Sequence, residues 1–130
     1  MRQIEQMSQV LAALIRRLLG LKSVNIEEKT RQTTNELLMQ ELDTSLKEIL
    51  RIPLEDIAEF IIQKKGLDKS NIELFAEVLV INAKACTDGL EKRKLFQRAL
   101  ELYQWIDTKS GIFSLERQKK IREIEDQIRN

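Results

Sequence analysis

Each of the four glycines in this 130-residue chain stands directly before a large aliphatic residue. The four pairs are Gly20-Leu21, Gly66-Leu67, Gly89-Leu90 and Gly111-Ile112. At a helix end, glycine adopts the left-handed conformation without steric cost, and an apolar residue after it packs back onto the last turn. The pairs therefore predict four helix ends, and the only proline, Pro53, predicts a further break. Because no segment alternates polar and apolar residues as a strand does, we expect an all-α fold.

Length and composition are typical of one globular domain. A chain of this length can bury a sizeable core, and it has 42% hydrophobic and 33% charged residues. We therefore expect residues 1–130 to form a single all-helical domain. The formal net charge of +1 gives no bulk attraction to nucleic acid. The charge is uneven, however, because residues 25–80 hold seven basic and twelve acidic residues, whereas residues 1–24 hold four basic and one acidic.

Cysteine usage and hydropathy bear on the compartment. The single cysteine, Cys86, excludes an intramolecular disulfide. Arg16 and Arg17 interrupt the apolar stretch near the N-terminus, which therefore matches neither a signal peptide nor a membrane span. These features predict a reducing, cytoplasmic location.

The first predicted helix, within residues 1–22, is amphipathic and carries a continuous apolar seam. The seam residues alternate in spacing between three and four positions, and they are Ile4, Met7, Leu11, Leu14 and Leu18. Val10, Ile15 and Leu19 widen one flank. This surface can be buried on the acidic middle of the same chain, where Arg16 and Arg17 would meet opposite charge, across a two-fold axis, or on a neighbour's middle segment. The heptad spacing favours helix pairing, so we expect a homodimer with this helix in or beside the interface.

Capping residues and apolar spacing predict the remaining helices. The segment Asp43–Ser45 indicates a bend or a new helix start, and Ser70 with Glu73 forms a capping-box pattern. The polar stretch Glu27–Asn35 is predicted to project into solvent or toward a partner. The unbroken apolar run Val78–Ile81 predicts a central helix. Together these signals predict about six helices in an irregular bundle.

Residues 72–107 resemble a tetratricopeptide repeat hairpin. The run Phe96–Tyr103 matches the second-helix pattern of an aromatic residue, a small residue three positions later, and then leucine. Ser114 is expected to open a closing helix over residues 114–129. The resemblance therefore implies a tetratricopeptide-like hairpin with a closing helix over residues 70–130. Hairpins of this family usually hold other proteins or peptides, which implies a scaffold role.

The N-terminal segment carries a second resemblance. The runs Arg2–Gln6, Leu11–Leu14 and Leu18–Leu21 resemble the start of small all-helical bacterial proteins of an uncharacterised family. Those proteins combine an N-terminal amphipathic helix with a C-terminal repeat-like hairpin. This resemblance implies an architecture and brings no activity with it.

The residue types on which most catalytic and metal sites depend are missing. The chain has no histidine, and one cysteine without histidine cannot supply the usual zinc ligands. No two glycines lie close enough for a phosphate-binding loop. Carboxylates share a helix face, as Glu55 and Glu59 do, but such pairs are routine on surface helices. We therefore expect a protein that is not an enzyme, with no catalytic, cofactor-binding or metal-binding residues.

Two single residues have alternative interpretations. Cys86 is predicted to be a small core residue, with a reactive thiol as the alternative. Trp105 lies off the inner stripe of its helix, so it either folds over Ile112 and Phe113 or serves as an exposed anchor for a partner.

These observations favour a non-catalytic module for protein–protein interaction or assembly, with an unknown protein partner and no nucleic acid. The expected interface comprises Ile4, Met7, Leu11, Leu14, Leu18 and Trp105. The alternative is a peripheral protein attached to a membrane surface through the first helix. That alternative needs a lysine- or arginine-rich polar face, whereas this helix carries glutamines and Glu5 there.

Overall fold

The computed structural model describes residues 2–22 and 24–129, with the side chains of residues 2–5 and 64 outside the described part. The described residues form helices and no strand, which confirms the all-α prediction. There are seven helices over these residues. Their bounds are α1, Arg2–Leu19; α2, Ile26–Leu42; α3, Leu46–Arg51; α4, a 3-10 turn at Leu54–Asp56 followed by an α turn at Ile57–Glu59 and a π turn at Phe60–Lys64; α5, Lys69–Ala85; α6, Gly89–Ser110; and α7, Leu115–Arg129.

Three of the four glycines follow the end of a helix, and one does not. Gly66 and Gly111 adopt the predicted left-handed conformation, with φ of 71° and 66°. Gly20 follows α1 without a positive φ. The prediction was wrong at Gly89, which is the first residue of α6. There α5 ends in extended backbone at Cys86, and the Asp88 carboxylate accepts from the Leu90 N–H, so the helix begins at Gly89.

These two backbone settings predict opposite effects on stability. At Gly66 no atom obstructs a Cβ, but the positive φ disfavours a β-branched residue, so Gly66→Val is expected to cost about 1 kcal/mol or more. At Gly89 the backbone is helical and the space around it is open. Gly89→Ala is therefore expected to stabilise by about 0.5 kcal/mol. Urea titration of both variants measures their free energies of unfolding. Equal changes in the two variants would contradict the difference in backbone conformation between Gly66 and Gly89.

Helix α2 ends at Leu42, and α3 follows it as a separate short helix. The described residues therefore form seven helices, where about six were expected. Asp43 takes the left-handed conformation with φ of 50°, and its N–H donates to the Met39 carbonyl. Ser45 then caps α3 by accepting from the Glu48 N–H at 3.2 Å. The break predicted at Asp43–Ser45 is therefore present, and an aspartate occupies a position that usually favours glycine.

The capping residue of α5 differs from the predicted one. Asp68 accepts from the Asn71 N–H at 3.1 Å, and Ser70 donates to the same carboxylate at 3.0 Å. The capping box predicted for Ser70 and Glu73 was therefore wrong by two residues. At the start of α7 the prediction is confirmed, because the Ser114 hydroxyl accepts from the Arg117 N–H at 3.1 Å.

Helix α5 lies at the centre of the fold, as the run Val78–Ile81 predicted. It packs against α1, α2 and α6, and α7 packs on α6. The polar stretch Glu27–Asn35 was predicted to project into solvent or toward a partner, and this was wrong for Thr30 and Thr34, which are buried. The Asn82 amide on α5 donates to the Thr34 hydroxyl at 2.9 Å and to the Val78 carbonyl at 3.0 Å. The first of these bonds satisfies the hydroxyl group that Thr34 brings into the core.

Two buried arginines join helices at the ends of the fold. Arg98 on α6 donates to the carbonyls of Ile49, Leu50 and Ile52, where α3 ends. Arg117 on α7 pairs with Asp107 at 2.5 Å and lies 3.5 Å from the Glu73 carboxylate. The Arg98 guanidinium therefore satisfies carbonyls at the end of α3, and the Arg117 guanidinium joins α7 to carboxylates of α5 and α6.

Candidate functional site

The apolar seam of α1 packs within its own chain. Leu11, Leu14 and Leu18 are at most 3% exposed. Leu14 and Leu18 form a cluster with Ile15 and with Val78 of α5, whereas Leu11 belongs to the main core. The three leucines therefore serve as core residues of the single chain. The homodimer stays a prediction, and its interface would have to be formed by other residues.

The other residues of the expected interface lie in different settings. Met7 is half-buried against the main core, and the side chain of Ile4 lies outside the described part. Trp105 is also half-buried against the core, while Ile112 and Phe113 remain exposed and are not covered by it. Arg16 and Arg17 are exposed, and among the described side chains neither forms an ion pair. The structure thus places Leu14 and Leu18 in one cluster and Leu11 in the main core, against which Met7 and Trp105 also pack.

Beside the seam lies an open groove of about 700 Å³. Its walls come from the end of α1 and start of α2 on one side and from the second half of α7 on the other, with α5 and α6 between them. The apolar lining consists of Leu18, Leu19, Leu21, Ile26, Val80, Ile81, Ala85, Phe96, Tyr103 and Ile124. Phe96 and Tyr103 are almost fully buried and form the floor, whereas Val80 and Ile81 are partly exposed.

Two features of the sequence account for this lining. The run Val78–Ile81 is apolar around the whole helix, so α1 and α6 cannot cover all of it. Val78 is fully buried against α1, while Val80 and Ile81 are left to face the groove. The second wall stays polar because α7 has only a narrow apolar stripe, of which Ile124 reaches the groove.

Charged side chains surround the apolar lining. Glu77 and Lys84 come from α5, and Lys120, Glu123 and Asp126 come from α7. On the floor, burial and the nearby carboxylates of Glu77 and Glu73 raise the pKa of Tyr103, which makes its hydroxyl a weaker acid than usual. An apolar concave surface with a charged margin matches the general form of a site that receives apolar side chains of another molecule.

A second cluster forms where the N-terminal part of α2 meets the connection between α5 and α6. The Cys86 thiol lies 3.3 Å from a Glu91 oxygen, and one ligand atom from each of Glu27, Cys86 and Glu91 lies within 4.8 Å of the others. Arg31 pairs with both carboxylates, at 3.2 Å and 3.1 Å. Thr87 donates its N–H and hydroxyl to Glu27, and the Thr87 bonds lower the pKa of that carboxyl. These bonds tie α2 to the connection between α5 and α6. The positive charge of Arg31 offsets the negative charge of the two carboxylates.

Cys86 is expected to react slowly with alkylating agents. Burial, and then the hydrogen bond to Glu91, raises the pKa of the thiol to about 11. At pH 8 the thiolate is about a hundredfold scarcer than at an ordinary cysteine, so alkylation of the folded chain should be about a hundredfold slower than in urea. The rate should rise about tenfold per pH unit up to that pKa. Mass spectrometry of iodoacetamide-treated protein measures this, and rapid stoichiometric labelling at pH 8 would contradict it.

Within the described residues, none of the helices has the length and apolar character that crossing a bilayer requires. No model of a known protein family matches the sequence. No curated protein is significantly similar to it. No solved structure is significantly similar to it either.

Sequence reasoning did not find the groove or the Glu27 cluster. Both depend on residues far apart in the chain, such as Leu21 with Gln127 in the groove and Glu27 with Cys86 in the cluster. One signal was available for the groove. A helix that is apolar on every side, as at Val78–Ile81, must be covered on every side, and any part that its neighbours leave uncovered forms an apolar surface.

Proposed function

We propose that this chain is a non-catalytic helical module for protein–protein interaction or assembly, and that its groove receives apolar side chains of a protein partner. The observation that carries the proposal is the partly exposed apolar lining at Val80 and Ile81, bordered by charges of both signs. Apolar surface of this kind, open to water on one side, typically marks an interaction site.

The arrangement of the C-terminal helices supports a tetratricopeptide-like interpretation within an irregular bundle. The helices α5 and α6 form a hairpin joined by three residues, 86–88, and α7 packs on α6. The groove is bordered by α5 of this hairpin and by α7. In this arrangement one face of α5, the first helix of the hairpin, stays open. An open helix face of this kind is suited to hold a peptide or another helix.

The lining offers no group suited to acid–base or nucleophilic catalysis at its centre. Tyr103 is a weaker acid than usual there, and the carboxylates Glu77, Glu123 and Asp126 lie beside the apolar surface. The composition adds no histidine anywhere in the chain. This supports a binding role over a catalytic one.

Photo-crosslinking tests the proposal. A photoreactive amino acid replaces Ile81 in the groove or, as a control, Met39, which is 54% exposed on α2 and does not line the groove. Cells that express the chain are illuminated, and the adducts are identified by mass spectrometry. We expect protein adducts from position 81 that are absent from position 39. Adducts with phospholipid, or equal adducts from both positions, would contradict the proposal.

The membrane-surface alternative requires α1 to leave the fold. Its apolar residues Leu11, Leu14 and Leu18 are packed on the rest of the chain, and removing them exposes the cluster around Val78. Flotation with anionic phospholipid vesicles measures this alternative directly. We expect the chain to stay in the unbound fraction, and flotation that depends on Leu14 would favour the membrane role.

A further inference from the structure

The connection between α6 and α7 exposes three large apolar side chains. Ile112 is 71% exposed, Phe113 is 74% exposed, and Leu115, at the start of α7, is 63% exposed. The backbone beneath them is well anchored. The Ile112 N–H donates to the Ser110 hydroxyl at 3.2 Å, and the Ile112 carbonyl accepts from Arg117 at 2.9 Å. The apolar side chains are thus held toward water, which is costly unless another surface covers them.

We propose that the groove is occupied by this connection from a second copy of the same chain, exchanged reciprocally. The inference rests on the proposed function, because it takes the groove to be a protein-docking site and names the occupant. Each copy carries both an exposed apolar element and an apolar groove. In a two-fold dimer, each copy therefore covers the connection of the other.

The buried area is adequate for a stable dimer. At these exposed fractions, Ile112, Phe113 and Leu115 present roughly 400 Å² per copy. Two connections and the two groove surfaces that they cover amount to on the order of 1,200 Å², which is the lower end of the range for a specific interface. Neither surface alone reaches that size.

The geometry of α7 lets the exchange close with two copies. Leu115 begins α7 and Gln127 lines the groove near its other end, about 18 Å away at 1.5 Å per residue. A two-fold axis through the middle of α7 places Leu115 of each copy beside the partner's Gln127.

Light scattering over chain concentrations up to about 1 mM tests the exchange, a range in which even millimolar affinity is visible. We expect a dimer. The double variant Ile112→Ser with Phe113→Ser, and separately Ile81→Glu, should each weaken dimerisation by about thirtyfold or more while the far-ultraviolet circular dichroism stays unchanged. Met39→Ser, which removes an exposed apolar side chain from α2, should leave the dimer intact. A dimer that is unaffected by the connection variant would overturn the exchange.

Disulfide trapping gives a second measurement that does not depend on affinity. In a chain with Cys86→Ala, we introduce Leu115→Cys and Gln127→Cys together. These positions are too far apart along α7 to bridge within one chain, so oxidation should yield covalent dimers. Met39→Cys paired with Leu115→Cys should not. Equal trapping in both pairs would reject the proposed geometry.

A hydrophobic fluorescent probe separates failure of this inference from failure of the proposed function. The wild-type chain could be monomeric and still bind 1-anilinonaphthalene-8-sulfonate, with this binding lost in Ile81→Glu. That result would reject the exchange and keep the groove as a docking site. If the monomeric chain does not bind the probe, both are rejected.

Discussion

Leu11→Glu is expected to leave most of the chain unfolded at room temperature. Leu11 is fully buried in the main core, and a glutamate there must either lose its hydration or take up a proton. We expect a loss of more than about 4 kcal/mol, which is most of the stability of a typical small domain. Far-ultraviolet circular dichroism and urea titration measure the change.

The matched control lies on the same helix. Leu19→Glu introduces the same charge at a position that is 66% exposed, so it should cost less than about 1 kcal/mol. If Leu11→Glu were folded and as stable as Leu19→Glu, the packing of α1 within the chain would be wrong. The membrane-surface role of α1 would then regain support.

Arg98→Met is expected to cost about 2–4 kcal/mol. The Arg98 guanidinium donates to three carbonyls at the end of α3, at 3.2, 3.2 and 2.9 Å, and methionine of similar length supplies no donor. The positive charge also lies at the C-terminal end of a helix, where it is stabilised by the helix dipole. Burial lowers the pKa of Arg98 from its very high ordinary value, and the group stays charged at neutral pH.

Two controls define the origin of that loss. Arg93→Met removes an exposed arginine from the same helix and should change the free energy of unfolding by less than about 0.5 kcal/mol. Arg98→Lys keeps the charge but not the planar fork of donors, so it should fall between the wild type and Arg98→Met. Equal stability of the Lys and wild-type proteins would show that charge alone matters.

The parts of the fold that the sequence predicts well are those with one dominant local signal. The all-α class, the burial of α1 and the central place of α5 follow from apolar spacing at Leu11–Leu18 and Val78–Ile81. The start of α7 and the start of α3 follow from the side chains of Ser114 and Ser45, which bond the nearby backbone. In each case neighbours within a few residues decide the conformation.

The failures occur where a distant residue changes the meaning of a local pattern. Thr34 appears solvent-facing in the sequence but is buried, because Asn82, 48 residues away, donates to its hydroxyl. Nothing in the local sequence predicts that Arg98 is buried and donates to carbonyls at the end of α3. At Gly89 the helix-ending pattern competes with Asp88, which is a better start signal than glycine is an end signal. The groove depends on the placement of α1, α2, α5, α6 and α7 together, which periodicity does not encode.

Isotope-filtered nuclear Overhauser spectroscopy on an equimolar mixture of labelled and unlabelled chains tests most directly which apolar surface serves the fold and which serves a partner. We predict that contacts between Leu14 and Val78 appear only within a chain, because both belong to one packed cluster. We predict contacts between chains from Phe113 to the methyl groups of Val80 and Ile81. Contacts between chains that join Leu14 to Val78, with none reaching Ile81, would contradict this division of the molecule.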